Sequence, residues 1–309
     1  MRRNSENDPG APRRRPDGTN ALVLFEEHRK LLFSIAYRML GSVADAEDVL
    51  QEAFLRWQSA SADDIRSPRS FLVTVVSRLC INQLQSAHAR RETYVGEWLP
   101  EPLVTDPESN PAAVVQVDES VSMALLLLLE RLTPSERAVF LLHEVFDYRH
   151  AEIAEALGLT ESNSRQLLRR AQQHVQLTRP RFQAPASEHG ALLERFSDAA
   201  RRGDMDHLIS LLSSEVVMHT DGGGKASALM LPIYGPEKVA QASVHGLRKL
   251  LSLNVTQRFV EINGLPGVVS YQDGRPQSVF TLEAKDGRIA AIYIVTNPEK
   301  LSHLPSPPS

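Results

Sequence analysis

Between Thr160 and Arg181 the sequence sets five cations, Arg165, Arg169, Arg170, Arg179 and Arg181, against the single acid Glu161. A local guanidinium excess of this kind suits contact with phosphate. The start of the stretch carries Ser162, Asn163, Arg165 and Gln166, which can hydrogen-bond base edges; arginine suits guanine, and asparagine or glutamine suits adenine. The bland alternative is the solvated face of an ordinary bundle helix. A second group has the opposite sign, Asp45, Glu47, Asp48, Gln51 and Glu52 together with Arg56, and a solvated face is its bland alternative too. A third, Asp221-Gly222-Gly223-Gly224-Lys225, invites a phosphate-loop reading that fails on spacing. A Walker loop needs glycine where His219 stands and Ser or Thr where Ala226 stands. A glycine-permitted tight loop fits better, with Asp221 and Lys225 as charged contacts. Asp221 and His219 could instead serve an enzyme pocket as acid–base groups. His143-Glu144 begins a zinc-protease pattern, but Asp147 replaces its second histidine, and neither a metal nor a cofactor is expected. Cys80 lies among Val76, Leu79 and Leu84 and reads as a small core residue rather than a redox sensor.

These groups need elements to hold them. Leu24, Phe25, His28, Leu31, Leu32, Ile35 and Met39 repeat at the spacing of one helix face. After Gly41, Ser42 stands three residues before Asp45 as a capping-box start, and Ala46, Val49, Leu50, Ala53, Phe54 and Trp57 line the next helix, opposite its acids. From Ser70 to Leu84 the β-branched run Val73 to Val76 favours a strand locally, while the spacing of Leu72, Val75, Val76 and Leu79 predicts a helix. Residues 92–118, with Pro100, Pro102, Pro107 and Pro111, read as an extended connector. Within it Trp98-Leu99-Pro100-Glu101-Pro102 would be wasted if free, so it is expected to dock. Thr133-Pro134-Ser135-Glu136 starts a helix, Gly158 ends a short one over Ala151 to Leu157, and Thr160 caps the next, with Leu168, Ala171 and Val175 inward; two helices on a glycine turn form a helix-turn-helix. Beyond Pro185, amphipathic helices containing Leu192 and Leu208 precede strands in which Phe280, Leu282 and Ala284 alternate with Thr281 and Glu283. Asp273-Gly274 and Asp286-Gly287 are hairpin turns, and the sheet is expected to be antiparallel.

The 309 residues, 42% of them hydrophobic, suffice for two or three cores and exclude a disordered chain. Lys plus Arg number 34 against 38 Asp plus Glu, a net charge of -4, so no molecule-wide basic field exists and any nucleic-acid site must be local. One cysteine allows no intrachain disulfide, which fits a reducing compartment. The longest apolar run, Met123 to Leu129, falls far short of the roughly 18 to 20 residues of a membrane span. Residues 1–20, with Arg2, Arg3 and Arg13 to Arg15, lack the apolar stretch of a signal peptide and read as a disordered tail. A cytoplasmic protein with no membrane contact is expected.

The run from Asp45 to Trp57, Asp-Ala-Glu-Asp-Val-Leu-Gln-Glu-Ala-Phe-Leu-Arg-Trp, resembles the polymerase-binding helix of bacterial sigma-70 family factors, specifically the extracytoplasmic-function group. Ser67-Pro68-Arg69-Ser70-Phe71-Leu72 through Arg91 is similar to the helix that in this family melts and reads the minus-ten promoter element. Leu132-Thr133-Pro134-Ser135-Glu136-Arg137, with Ala151-Glu152-Ile153-Ala154-Glu155-Ala156-Leu157-Gly158, resembles the region-four domain that reads the minus-thirty-five element. Trp98 to Pro102, Asp221 to Lys225 and Asn297-Pro298-Glu299-Lys300-Leu301 are similar to motifs of the subgroup carrying a C-terminal SnoaL-like extension of the nuclear-transport-factor-2-like fold.

The resemblance implies a multidomain chain: two all-α sigma domains, the second with the helix-turn-helix, then an α+β SnoaL-like cone-shaped barrel. The expected bounds are 21–91, a linker over 92–118, 119–182 and 187–303. It implies a sigma factor, not an enzyme, that directs core RNA polymerase, through its beta and beta-prime subunits, to promoter DNA under control of its own extension. Asp45, Glu47, Asp48, Gln51 and Glu52 would meet polymerase. Ser162, Asn163, Arg165, Gln166, Arg169 and Arg170 would read minus thirty-five, and Arg78, Asn82, Arg90 and Arg91 minus ten. Trp98, Leu99, Pro100, Asp221, Gly222, Gly223, Gly224, Lys225, Asn297, Pro298, Lys300 and Leu301 would make the autoregulatory contacts. The barrel could also take a small-molecule ligand. The alternatives are a helix-turn-helix regulator with a ligand-sensing domain and a DNA-tethered SnoaL-like cyclase.

Overall fold

The computed structural model describes residues 18–60, 65, 67–91, 94–105, 121–176, 186–304 and 306. Helices α1 (Gly18–Leu40), α2 (Val43–Ser59) and α3 (Pro68–Arg91) come first. Helix therefore begins at Gly18, inside the stretch read as a tail; residues 1–17 lie outside the described ones. The β-branched run in α3 stays helical because Leu72, Val76, Cys80 and Leu84, at helical spacing, are all buried, and burial outweighs local strand preference.

The connector is not simply extended: residues 94–105 lie along the C-terminal domain and end in strand β1 (Val104–Thr105), while 106–120 lie outside the described residues. Then come α4 (Met123–Leu129), α5 (Pro134–Glu144), α6 (His150–Leu157) and α7 (Glu161–Gln176). The capping box of α5 forms as read: Thr133 Oγ1 accepts from Glu136 N at 3.3 Å and Glu136 Oε2 from Thr133 N at 3.0 Å. Gly158 closes α6 in the left-handed region, φ 69°, where glycine is least strained.

The sequence suggests two small helical domains, but their apolar residues form one continuous core, from Ala21 through Leu84 to Val175. Helix α5 packs on α1 and α3, and α6 on α3. Buried Arg137 of α5 crosses the seam, donating to the Met39 carbonyl at 2.6 Å and to Glu130 at 2.8 Å.

The C-terminal domain comprises α8 (Ala186–Arg202), α9 (Met205–Leu211), β2 (Leu212–Asp221), β3 (Ile233–Tyr234), α10 (Pro236–Leu251), β4 (Thr256–Ile262), β5 (Leu265–Gln272), β6 (Arg275–Lys285), β7 (Arg288–Val295) and α11 (Pro298–Leu301). The sheet order is β1-β4-β5-β6-β7-β2-β3. The expectation of a purely antiparallel sheet is corrected: β2 pairs parallel with β7, because the chain between them leaves through α10 and returns by three hairpin-linked strands. Asp273-Gly274 and Asp286-Gly287 are hairpin turns with positive φ at both residues, and Asn263-Gly264 is a third.

Both sheet faces are buried. Helices α8 to α10 cover one, over Phe280, Leu282 and Ala284. Leu99 of the linker, Met123 and Ala124 of α4 and Leu301 of α11 cover the other. Thr281 and Glu283 are therefore inside, not in water.

Candidate nucleic-acid interface and linker clasp

Helix α7 turns Leu168, Ala171 and Val175 into the core and leaves Ser162, Asn163, Arg165, Gln166, Arg169 and Arg170 exposed on one side. Thr160 Oγ1 accepts from Asn163 N at 3.2 Å, capping the helix. Buried Ser164 meets His150 of α6, Oγ to Nδ1 2.9 Å, which fixes the angle between the two helices. Burial, then the neighbouring His143 and Arg165, hold the His150 imidazole below its ordinary value. Arg165 pairs with Glu161 at 2.6 Å; both are exposed, and such a surface pair is easily exchanged for a phosphate or base. Arg179 and Arg181 lie outside the described residues.

On α2, Asp48 and Gln51 are exposed and Asp45 is half-buried, while Glu47 pairs with Arg29 at 2.6 Å and Glu52 with Arg56 at 2.8 Å. Leu55, 53% exposed beside them, adds an apolar contact that a reading by charge alone overlooks. On α3, Asn82 is exposed, but Arg78 is engaged: its Nε donates to the Ala156 carbonyl at 2.8 Å, at the C-terminal end of α6. The side chains of Arg90 and Arg91 lie outside the described residues.

The linker is gripped at two points. At the first, the fully buried Asp221 carboxylate accepts from Tyr94 Oη at 2.6 Å, Leu99 N at 2.9 Å and Gly223 N at 3.0 Å, and pairs with Lys300 Nζ at 2.7 Å. Lys300 also donates to the Leu99 carbonyl and stands 4.0 Å from the Trp98 ring centroid and 5.1 Å from that of Tyr94. An ammonium stripped of water is thus paired, hydrogen-bonded and capped by two π faces, which is what a buried charge requires. Burial and the adjacent carboxylate push the Tyr94 phenol up, so it remains a donor. Asn297 donates to Tyr94 Oη at 2.8 Å and caps α11 through Glu299 N at 3.1 Å, with Pro298 in the first turn. Gly223 has φ 59°, and a Cβ there would overlap the Asn297 amide. Gly222 and Gly224 turn the same loop, Gly224 against Val95; Leu301 and Leu99 share an apolar cluster. Lys225 pairs with Glu299 rather than with the linker.

The second grip joins the linker to the first helices. Glu101 accepts from Val43 N at 2.6 Å, Ala44 N at 3.3 Å and Ser42 Oγ at 2.9 Å, an anion at the start of α2. The capping expected from Ser42 is present, Asp45 N to Oγ 3.1 Å, but its acidic complement comes from Glu101. Tyr37 Oη donates to the Glu101 carbonyl at 2.7 Å and accepts from Asn263 at 2.7 Å; Asn263 also accepts from Leu103 N at 3.0 Å. The Trp98 ring and Pro100 lie over Gly41. Glu101 lies inside the docking motif read from the sequence, though nothing local signals its cap on α2; Tyr94, Tyr37 and Asn263 carry no local sequence signal for this role, and only their partners across the fold reveal it. Glu283 ties down the other helical half: its Oε1 accepts from Ala124 N at 2.9 Å at the start of α4, and burial pushes its carboxyl up to about 7.

Residues 24–90 match the model of Sigma-70 region 2, and 122–175 that of Sigma-70, region 4. The ECF RNA polymerase sigma factor SigJ of Mycobacterium tuberculosis is 38% identical over 91% of this chain and 93% of its own. The chain belongs to the extracytoplasmic-function sigma factors of the sigma-70 family. Its fold follows the same relative, whose crystal structure superposes with a TM-score of 0.74 at 36% identity, covering 91% of this chain and 98% of that one. The probable sigma factor SigI of the same organism is 31% identical over 90% of this chain and 93% of its own. The region 2 match spans α1 to α3 and the region 4 match α4 to α7, so this sigma factor acts in promoter-specific transcription initiation. Its third part is the mixed-sheet extension.

Proposed function

We propose that the structure is the held state of a cytoplasmic sigma factor, in which the extension keeps the promoter-reading halves together until core RNA polymerase, through its beta and beta-prime subunits, takes the chain. One observation carries this reading, the hydrogen bond from Arg78 to the end of α6 across the shared core. The two promoter elements lie about 25 base pairs apart, roughly 85 Å of duplex at 3.4 Å per base pair. A minus-ten reader that touches the helix-turn-helix cannot sit on its element while Arg165, Gln166, Arg169 and Arg170 occupy the other. The Asp221–Lys300 grip and the Glu101 cap hold the linker, Arg137 holds the seam, and Glu283 holds α4, so opening requires their release.

The face of α2 around Asp48, Gln51 and Leu55 stays accessible, and would make the first polymerase contact. A catalytic extension is disfavoured by position. Asp221 and His219 lie on the linker side of the sheet, Asp221 on Lys300 and His219 on Glu97 at 2.8 Å, away from the cavity on the other side.

The test is promoter-directed transcription by core polymerase with the full chain and with Asp221→Asn. The variant is expected to start transcription at several-fold lower sigma concentration. Equal activity at every concentration would remove the extension's restraining role, and loss of polymerase pull-down on charge reversal of Asp45, Glu47 and Asp48 separates a sigma factor from a polymerase-independent regulator.

A further inference from the structure

The sheet face opposite the linker forms, with α8 and α10, a cavity of about 530 Å³, in the size range that takes a drug-sized organic molecule. Its body is apolar, built by Phe196, Met218, Val268, Phe280 and Ile294. Hydroxyls of Thr220, Ser270 and Ser278 supply polarity at buried positions. Among the described residues that line it there is no carboxylate, whereas Arg201 and Lys249, both exposed, stand at its edge. Lys249 donates to Ser227 at 2.8 Å and Arg201 to Gln257 at 3.5 Å, both neutral partners, and among the described residues no carboxylate pairs with either cation. An apolar chamber with cations at the rim complements a molecule with a hydrocarbon body and one anionic end.

The cavity wall is also the back of the linker grip. Ala226, Ala228 and Leu229 line it immediately after the glycine loop, and Thr296 lines it immediately before Asn297. Thr220 Oγ1 accepts from Leu229 N at 2.8 Å, while Thr296 N donates to the Asp221 carbonyl at 2.7 Å. An occupant that fits this wall fits it in the gripping conformation, and so favours that state by its differential affinity.

We propose that this cavity binds an apolar organic acid, its carboxylate against Arg201 and Lys249, and that occupancy tightens the hold on residues 94–105. The regulatory sense rests on the held-state reading; the binding does not. The test titrates the full chain with decanoate, using 1-decanol as the uncharged probe, by calorimetry and by amide exchange of residues 94–105. Decanoate is expected to saturate one site, at least 10-fold tighter than decanol. The rim variant Arg201→Glu/Lys249→Glu should bring decanoate down to the affinity of decanol and leave decanol unchanged. Ala242→Phe, which fills the chamber, should abolish both at an unchanged melting temperature; if it does not fold, the rim variant decides alone. Linker exchange should slow several-fold with decanoate. Absence of saturable binding, or binding indifferent to the rim variant, overturns the site; unchanged or faster linker exchange at saturation overturns the coupling. Neither outcome touches the held state itself, which is read without decanoate from transcription by Asp221→Asn.

Discussion

Asp221 and Lys300 form the ion pair on which the linker grip turns, and the energetic asymmetry of buried pairs makes its removal informative. Replacing Asp221 by Ala leaves Lys300 buried between Tyr94 and Trp98 without its counter-charge, at a cost of about 3–5 kcal/mol. The double variant Asp221→Ala/Lys300→Met should recover a large part of that loss, measured as a double-mutant cycle by chemical denaturation; additive losses would contradict the coupling. Glu283 gives a pH signature. Its folded-state value near 7 against an ordinary 4.5 means that the folded chain keeps a proton the unfolded chain has released. Its contribution is complete below pH 4.5 and is lost as pH rises through 7, on the order of 3 kcal/mol at most. Glu283→Gln, neutral throughout, should lose less stability than the parent between about pH 5 and about pH 8; parallel curves would refute the assignment. Asp221 and Lys300 were legible because they sit in sequence motifs. Glu283 was not, since a polar residue in an alternating strand looks the same whether water or another helix covers it.

At the scale of elements, the helix boundaries that carry capping chemistry were the readable ones. Thr133 with Glu136, Gly158, and Thr160 mark α5, α6 and α7 by local hydrogen bonds that need no distant partner. The start of α2 shows where this stops, because its anion comes from Glu101, 58 residues away along the chain. Glu101→Ala should cost about 1–2 kcal/mol through the lost cap, and should loosen the linker so that amide exchange rises together at α2's first turn and at residues 94–105. A change confined to α2 would argue that the cap and the linker are independent. In α7, Arg165 stands in the turn that would point at base edges. Arg165→Ala should reduce promoter affinity by about 1–3 kcal/mol and relax specificity at one position, read by binding to singly substituted minus-thirty-five elements. A uniform loss across all sequences would make it a phosphate contact instead. The β1 strand and the parallel β2–β7 pair were illegible for a plainer reason: pairing partners depend on how the chain returns, not on local composition.

For the whole molecule, composition allowed two or three cores, and one helical core plus an apolar cluster on each face of the sheet account for them. Sequence could not show that the two helical halves share one core, since a residue facing its own domain and one facing a neighbour are equally apolar. Arg137 of α5 and Arg78 of α3 are charged residues that join the halves, and both bond to backbone carbonyls that no pattern announces. The held state requires that these halves separate when the promoter is engaged. Cysteines placed at the exposed Gln85 of α3 and Gln173 of α7, neither of them a promoter-reading residue, can carry a donor–acceptor dye pair, Cys80 staying unlabelled because it is fully buried and burial pushes its thiol up. Energy transfer between them should be high in the free chain and fall nearly to zero in the complex with core polymerase and promoter, as the readers move toward roughly 85 Å apart. Transfer as high in a transcriptionally active complex as in the free chain would contradict the held state directly.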